Sequence, residues 1–284
     1  CSLRGAGWNP NARAYAWYSM DVSSSFVVDT TAPTINGAST SSTGKYTSAS
    51  TYISISDSGS GAEAIYMKAP GSSYYSNVGT STTVSSTATN GLYYFYAKDK
   101  AGNTSSTYYL YLDTSKPTGT IKNSSGTAIS GYTNGAFSYT ASDGLSGIAY
   151  MQYKKPNSTV WETYAAGTLV QTTDTNGIYR FRAFDNAGNE SETVMICLDT
   201  VKPTGTLYGG TSTVASGGKT NANYVKFVPS DSMSGIKSIY VQTPSPSGYK
   251  SYTSGSQLAE EGTYSFYCTD AAGNFSMIYT VILD

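Results

Sequence analysis

An internal repeat constrains this chain more than any other feature of its sequence. The pattern D-T-x-x-P-T begins at Asp29, Asp113 and Asp199, and a fourth aspartate follows at Asp284. The intervals between these aspartates are 84, 86 and 85 residues. Periodicity of this kind marks a structural unit that is used repeatedly, and a unit of this length can enclose its own hydrophobic core. The predicted modules span residues 29–112, 113–198 and 199–284, and residues 1–28 precede them.

Two further motifs recur with a similar period. One is D-x-x-S-G and the other is D-x-A-G-N, and both are rich in residues that form tight turns. Their aspartates are Asp57, Asp143 and Asp231 for the first motif and Asp99, Asp185 and Asp270 for the second. The intervals are 86 and 88 residues for the first motif and 86 and 85 for the second. Each module therefore presents three aspartates at matched positions.

The residues before each D-x-A-G-N motif predict a strand. Those at six, four and two positions before its aspartate are Tyr93, Phe95 and Ala97; Tyr179, Phe181 and Ala183; and Tyr264, Phe266 and Cys268. A period of two is typical of a strand with one buried face. Cys268 stands where the other modules have alanine, so we predict a buried, unreactive thiol.

Similar alternation precedes the other motifs. Together with the 27 tyrosines of the chain, which favour strands over helices, it predicts an all-β fold. About seven short strands per module, separated by Gly, Ser and Pro turns, are typical of a β-sandwich.

The three motifs together resemble those of the bacterial Ig-like repeat families. The resemblance rests on D-T-x-x-P-T, on D-x-x-S-G after the second strand, and on Y-x-F-x-A-x-D-x-A-G-N near the end, and it covers Asp29 to Asp284. It implies tandem Ig-like β-sandwiches in an elongated array. It also implies an extracellular or cell-wall surface location in bacteria, as part of a large secreted or surface-attached protein.

Residues 1–28 do not make a complete module. The segment AYAWYSMDVSSSFVVD, which begins at Ala14, looks like the last two strands of a preceding module, but it lacks the A-G-N sequence. We interpret residues 1–28 as the partial tail of a preceding repeat or as an N-terminal extension.

The sequence offers little for catalysis. It contains no histidine, which excludes Ser-His-Asp and Cys-His arrangements and the commonest zinc ligand. It also lacks the glycine-rich motifs that bind nucleotide phosphates. The carboxylates that the motifs place recur in every module, so we attribute them to the fold. We therefore predict no enzyme activity and no catalytic residues.

Charge and hydropathy exclude two classes of partner. The formal net charge is -1, and 12% of the residues are charged, which gives no electrostatic footprint for nucleic acid. No stretch approaches the ~18 continuous apolar residues of a membrane span, so we predict no membrane insertion in this segment. The three cysteines, Cys1, Cys197 and Cys268, are predicted to form no disulfide within a module.

The motif aspartates are the candidate site residues. In an Ig-like sandwich the start of the first strand, the loop after the second strand and the last hairpin lie at one end. The three aspartates of each module should therefore gather there. The sets are Asp29, Asp57 and Asp99; Asp113, Asp143 and Asp185; and Asp199, Asp231 and Asp270.

Two interpretations of these aspartates remain open. In the favoured one the aspartate accepts backbone hydrogen bonds within a turn, the glycine adopts positive φ, and the asparagine ends the turn. In the other a Ca²⁺ ion bridges adjacent modules, because three loops can supply the about six to eight oxygen ligands it prefers. The calcium candidates are Asp113, Asp143, Asp185, Asp199, Asp231 and Asp270. No other cofactor is predicted.

Aromatic residues in the middle of the modules are the last candidate feature. They are Tyr74, Tyr75, Trp161, Tyr249 and Tyr252, and we expect them on exposed edge strands. Stacking on sugar rings is one interpretation. Packing, together with the strand preference of tyrosine, is the favoured one.

The predicted function is a non-catalytic stalk or adhesion segment of a bacterial cell-surface or secreted protein. Its partners would be a host or cell-surface protein or a glycan. The alternative is a set of carbohydrate- or protein-binding accessory modules of a secreted enzyme.

Overall fold

The computed structural model describes residues 3–9, 14–20, 28–245 and 248–284. Every helix or strand in these ranges is a β-strand, so the all-β prediction is confirmed. The described residues contain no helix that is long and apolar enough to cross a membrane. The chain folds into two compact units, Cys1–Thr114 and Ser115–Asp284.

The first strands of the chain form a two-stranded antiparallel sheet. They are β1 (Leu3–Asn9) and β2 (Ala14–Met20). The strand predicted at Ala14 is therefore present, and its partner is the preceding strand. The second strand predicted in this segment falls largely on residues 21–27, which lie outside the described residues.

A sandwich of two sheets, the first sandwich, follows in the first unit. Its strands are β3 (Thr34–Asn36), β4 (Lys45–Thr47), β5 (Thr51–Ser56), β6 (Ala62–Lys68), β7 (Ser76–Asn77), β8 (Ser81–Val84), β9 (Gly91–Asp99) and β10 (Tyr108–Leu112). The smaller sheet has the order β3-β5-β8 and the larger one β4-β10-β9-β6-β7. The edge strand β4 runs parallel to β10, and the other neighbours are antiparallel.

The second unit contains the second and third sandwiches. The strands of the second are β11 (Thr118–Asn123), β12 (Gly131–Thr133), β13 (Phe137–Ser142), β14 (Ile148–Lys154), β15 (Glu162–Tyr164), β16 (Gly177–Asp185) and β17 (Val194–Leu198). Those of the third are β18 (Thr204–Gly209), β19 (Ser212–Val214), β20 (Gly218–Thr220), β21 (Val225–Ser230), β22 (Ile236–Gln242), β23 (Lys250–Ser251), β24 (Gly262–Asp270) and β25 (Tyr279–Leu283).

The larger sheet has the same plan in all three sandwiches. Its order is β12-β17-β16-β14-β15 in the second and β20-β25-β24-β22-β23 in the third. In both, the short first strand of this sheet again runs parallel to the last. The smaller sheets are β11-β13 and β19-β18-β21. The repeated sequence motifs therefore correspond to a repeated topology.

The alternation predicted before the D-x-A-G-N motifs is present in β9, β16 and β24. From the third residue onward, every second residue of these strands is buried, which confirms the prediction. Cys268 is fully buried, and burial raises the pKa of its thiol. A buried protonated thiol is a poor nucleophile. Neither Cys197 nor Cys268 forms a disulfide.

Each sandwich encloses its own hydrophobic core. Phe95 lies in the first core, Phe181 in the second and Phe266 in the third, and all three are fully buried. The second unit therefore holds two separate cores. The module boundaries at 113 and 199 stay a prediction.

Candidate functional site at the sandwich poles

The motif aspartates form one cluster in the first unit and another at the start of the third sandwich. The first pole consists of Asp29, Asp57 and Asp99, and the third pole consists of Asp199, Asp231 and Asp270. In each pole, one carboxylate oxygen from each residue lies within 4.8 Å of those of the other two. Residues far apart in the sequence are thus brought together at one end of the sandwich.

The middle set of aspartates is divided between the two units. Asp113 follows β10 in the first unit and is buried. Asp143 and Asp185 belong to the second unit. There Asp143 Oδ1 accepts a hydrogen bond from the Gly147 N–H at 2.8 Å, and Asp185 Oδ1 accepts one from the Asn189 N–H at 2.8 Å. That Asp113 lies close to Asp143 and Asp185 remains a prediction.

The D-x-A-G-N hairpin of the third sandwich has the chemistry of a tight turn. Asp270 is fully buried, and its Oδ1 accepts hydrogen bonds from the N–H groups of Gly273 and Asn274 at 2.7 and 2.8 Å. Asn274 Nδ2 donates to Asp270 Oδ2 at 2.7 Å. Gly273 has φ +99°, a conformation that favours glycine. These are the interactions that the turn interpretation predicts.

The asparagine of the hairpin also binds the linker that enters the sandwich. Asn274 Nδ2 donates to the carbonyl oxygen of Asp199 at 2.8 Å, and in the first pole Asn103 Nδ2 donates to that of Asp29 at 2.9 Å. In the second unit Asn134 Nδ2, from the second sandwich, donates to Asn274 Oδ1 at 3.2 Å. The sequence interpretation assigned this asparagine only to the end of a turn. The signal it missed is that the asparagine recurs with the linker aspartate in every module.

The D-x-x-S-G loop, which follows β5, β13 and β21 and so comes after the third or fourth strand of its sandwich rather than the predicted second, supplies further donors. Asp231 Oδ2 accepts hydrogen bonds from the N–H groups of Met233 and Gly235 at 3.0 and 2.8 Å. The N–H of Ser234 donates to Asp199 Oδ2 at 3.1 Å. The loop therefore folds around its own aspartate and binds the linker aspartate at the same time.

The first pole repeats this arrangement. The N–H of Gly61 donates to Asp57 Oδ2 at 2.7 Å, and the N–H of Ser60 donates to Asp29 Oδ2 at 2.6 Å. Hydrogen bonds from the N–H groups of Ser60 and Thr31 lower the pKa of the Asp29 carboxyl, because they stabilise its charged form.

One carboxylate oxygen in each of these poles has no donor. Oδ1 of Asp57 and Oδ1 of Asp231 are buried and have no hydrogen-bond partner among the described residues. The same atom of the same motif is thus unsatisfied in two sandwiches. A buried acceptor without a partner costs about 1–3 kcal/mol, which is a large penalty to repeat.

The donor set of these poles fits a calcium ion. Three carboxyl groups offer hard oxygen ligands, and Ca²⁺ binds such oxygens at about 2.3–2.6 Å. Two ligands of one ion are then at most about 5 Å apart, and the three oxygens of each pole lie within 4.8 Å of one another. A cation would also relieve the repulsion between the carboxylates and provide a partner for the unsatisfied Oδ1.

A cleft in the second sandwich has a different lining. It encloses about 540 Å³, and Lys155, Tyr164, Asp174 and Tyr179 contribute to its wall. Asp174 supplies the acidic group of this wall, whereas hydrolysis by paired carboxylates requires two. The absence of catalysis stays a prediction.

The mid-module aromatics have different environments. Tyr74 and Tyr249 are exposed, whereas Tyr75 and Trp161 are partly buried. Tyr252 is buried, so the expectation of exposure is wrong for this residue. Its hydroxyl accepts a hydrogen bond from the Phe227 N–H at 3.0 Å and donates to the Ser256 carbonyl. A hydrophobic ring with a satisfied hydroxyl is a stable way to bury tyrosine.

The fold and poles define a class of protein built from tandem β-sandwiches. No protein-family model matches the chain, and no curated protein matches it. Three similar solved structures come from other proteins. The fibronectin(III)-like modules of Clostridium thermocellum CbhA are 17% identical over 58% of this chain and 94% of that chain, with a TM-score of 0.28. The FN1–FN3 domains of chicken CNTN1 are 13% identical over 84% of this chain and 95% of that chain, with a TM-score of 0.31. A 1.5-MDa bacterial ice-binding adhesin is 14% identical over 84% of this chain and 92% of that chain, with a TM-score of 0.23. The assignment to β-sandwiches rests on the strands and their pairing.

Proposed function

We propose that this chain is a non-catalytic stalk or adhesion segment of Ig-like modules in a bacterial cell-surface or secreted protein. The observation that supports it is the junction in the second unit. There Asn274 binds the linker at the Asp199 carbonyl and also contacts Asn134 of the preceding sandwich. The side chain of Asn274 is itself held by the buried Asp270. A spacer needs junctions that resist bending, and the linker proline restricts the backbone further.

If the junctions are stiff in solution, the chain of 284 residues is expected to be extended. A compact globule of this length has a radius of gyration of about 19 Å. We expect small-angle X-ray scattering to give a clearly larger value. Asn274→Ala is expected to broaden the distance distribution, because it frees the linker, and replacement of the exposed Asn223 by alanine is the matched control. A radius near that of the globule would contradict the stalk.

We further propose that Ca²⁺ binds at the first and third poles. The unsatisfied Oδ1 atoms of Asp57 and Asp231 support this proposal, since an arrangement that served only as a turn would leave both without a partner. Mg²⁺ is a poorer fit, because it requires a smaller and more nearly octahedral site. In this proposal the ion stiffens each pole by binding the linker aspartate and both loop aspartates.

Calcium is expected to raise the melting temperature of the chain. An ion that binds only the folded state stabilises it by about 2.7 kcal/mol when its concentration is a hundredfold above Kd. Thermal melts in millimolar CaCl₂ and in excess chelator measure this shift. The double variant Asp57→Asn and Asp231→Asn is expected to remove most of it, whereas replacement of the exposed Glu261 by glutamine should leave it unchanged. Identical melting of the native chain in calcium and chelator would refute the ion site.

A second candidate function is the binding of a glycan or protein, as in accessory modules of a secreted enzyme. One observation favours it. The outer face of the larger sheet in the first sandwich is lined with tyrosines from several strands. A segment that serves only as a spacer has no need of such a face.

A further inference from the structure

The outer face of the five-stranded sheet in the first sandwich carries seven tyrosines, and we call it the tyrosine face. They are Tyr46 on β4, Tyr109 and Tyr111 on β10, Tyr94 and Tyr96 on β9, Tyr66 on β6, and Tyr75 beside β7. All seven are partly exposed. Those on β9 and β10 alternate with buried core residues of the same strands, so they point away from the core.

Ring contacts hold these side chains in place. Tyr66 stacks on Tyr96 with ring centroids 4.8 Å apart, and Tyr75 meets Tyr96 edge-on at 4.9 Å. The other two contacts are Tyr94 with Tyr109 at 5.6 Å and Tyr46 with Tyr111 at 5.2 Å. Rings that are already fixed lose little conformational entropy when a ligand binds. The face is therefore organised in advance for binding.

The other two sandwiches show that the sheet does not require these tyrosines. Strand registers give the residues at the equivalent positions, listed here in the order Tyr46, Tyr109, Tyr111, Tyr94, Tyr96, Tyr66 and Tyr75. In the second sandwich they are Tyr132, Met195, Cys197, Arg180, Arg182, Gln152 and Trp161. In the third they are Lys219, Thr280, Ile282, Ser265, Tyr267, Tyr240 and Tyr249. The same sheet forms with polar, charged and aliphatic residues there. Strand preference favours tyrosine equally in all three, so it does not account for seven in one sandwich.

Two lysines give the tyrosine face a positive charge. Lys68 Nζ lies 4.3 Å from the ring centroid of Tyr94, and Lys98 Nζ lies 5.6 Å from that of Tyr66. Neither lysine forms an ion pair with a carboxylate in the described part of the chain. Aromatic rings hold an ammonium group without neutralising its charge. Both lysines therefore remain able to pair with an anion.

A cavity lies at one end of this face. It encloses about 340 Å³ and is lined by Lys68, Leu92, Tyr94 and the turn 69–72. One ammonium group and one aromatic ring thus line the same opening. A flat sheet face that ends in a charged recess suits a long, flat ligand with acidic groups more than a small compact molecule.

From these observations we infer that the tyrosine face binds an acidic polysaccharide. The apolar faces of the sugar rings stack on the tyrosines, the phenol hydroxyls bond to sugar hydroxyls, and the acidic groups pair with Lys68 and Lys98. Burial raises the pKa of Tyr75, and the neighbouring phenols add to this effect, so its hydroxyl stays a donor at neutral pH. The inference deepens the second candidate function and is independent of the stalk, which scattering tests.

The test is isothermal titration of the whole chain with an alginate oligosaccharide and, separately, with a neutral cello-oligosaccharide of the same length. The variant combines Tyr94→Ser with Tyr109→Thr, which are the residues of the third sandwich, Ser265 and Thr280, at the same positions. Since two stacking rings are lost, affinity for the alginate oligosaccharide is expected to fall at least about tenfold. As a control, Tyr240→Gln removes a ring from the outer face of the third sandwich, at a position where the second sandwich carries Gln152, and it should leave this affinity unchanged.

Lys68→Gln separates charge from stacking, because the third sandwich carries Gln242 at this position. It is expected to weaken binding of the alginate oligosaccharide, and added salt should weaken that of the native chain. Three results would overturn the inference: no binding of the alginate oligosaccharide, equal binding of the neutral one, or native affinity in the double tyrosine variant. Circular dichroism establishes that each variant is folded.

Discussion

Phe266→Ala is expected to lower the free energy of unfolding of the third sandwich by about 3–5 kcal/mol. The ring of Phe266 is fully buried, stacks on Phe227 at 5.1 Å and meets Tyr252 edge-on at 5.2 Å. Its removal loses the transfer free energy of the ring and leaves a cavity. Tyr252 cannot move far to fill that cavity, because its hydroxyl is bonded to the Phe227 N–H and the Ser256 carbonyl.

Urea unfolding of the whole chain, followed by circular dichroism, measures this loss. Tyr267→Ala is the matched control, because Tyr267 is the next residue on β24 and lies on the outer face, stacked on Tyr240. It removes a ring of similar size without opening a core cavity, so a smaller loss is expected. Equal losses in the two variants would mean that the buried face of β24 does not dominate the stability of this sandwich.

Asp270→Ala is expected to lower the free energy of unfolding by at least about 2–3 kcal/mol. The buried carboxylate accepts hydrogen bonds from the Gly273 N–H, the Asn274 N–H and Asn274 Nδ2. Alanine leaves these donors without their acceptor. It also releases the side chain that binds the Asp199 carbonyl, so the linker loosens as well as the hairpin.

An opposing effect acts in the same variant. Removing Asp270 takes one carboxylate from the third pole and relieves its repulsion with Asp199 and Asp231. Two charges about 4 Å apart repel by about 1 kcal/mol in water and by more in a protein, whereas three hydrogen bonds to a carboxylate are lost. We therefore expect the hydrogen bonds to dominate.

The melts for Asp270→Ala belong in excess chelator, so that any bound ion does not contribute. Glu261→Ala is the control. Glu261 is exposed, and this substitution also removes one negative charge. If Asp270→Ala were as stable as the native chain or more so, repulsion would outweigh the turn, and the metal-free pole would be a strained site.

The hairpin shows where prediction from the sequence works and where it stops. Asp270, Gly273 and Asn274 interact within five consecutive positions, so their residue types suffice to predict the turn. The bond from Asn274 to the Asp199 carbonyl joins residues 75 positions apart. Nothing local in the sequence specifies that contact, and only the path of the chain creates it.

The tyrosine face shows a second limit. In the segment YYFYA, from Tyr93, the period of two predicts that Tyr93 and Phe95 point inward, but it does not show which tyrosines of other strands lie beside the outward Tyr94 and Tyr96. Strand register decides this, because it pairs Tyr94 with Tyr109 and Tyr96 with Tyr66. Comparison of equivalent positions among the three repeats would have revealed the excess of tyrosine in the first.

The sequence by itself determined the repeated strands, the inward residues of β9, β16 and β24, and the turn chemistry of their hairpins. These depend on the alternation of side chains along a strand and on hydrogen bonds between near neighbours, which are set by local backbone geometry. Only the tertiary structure decided that Asp57 Oδ1 and Asp231 Oδ1 lack a donor and that Tyr252 is buried. It also decided that the seven tyrosines on β4, β6, β9 and β10 and beside β7 share one surface. Each of these depends on distances between atoms of segments that are remote in the chain, and residue type alone does not specify such distances.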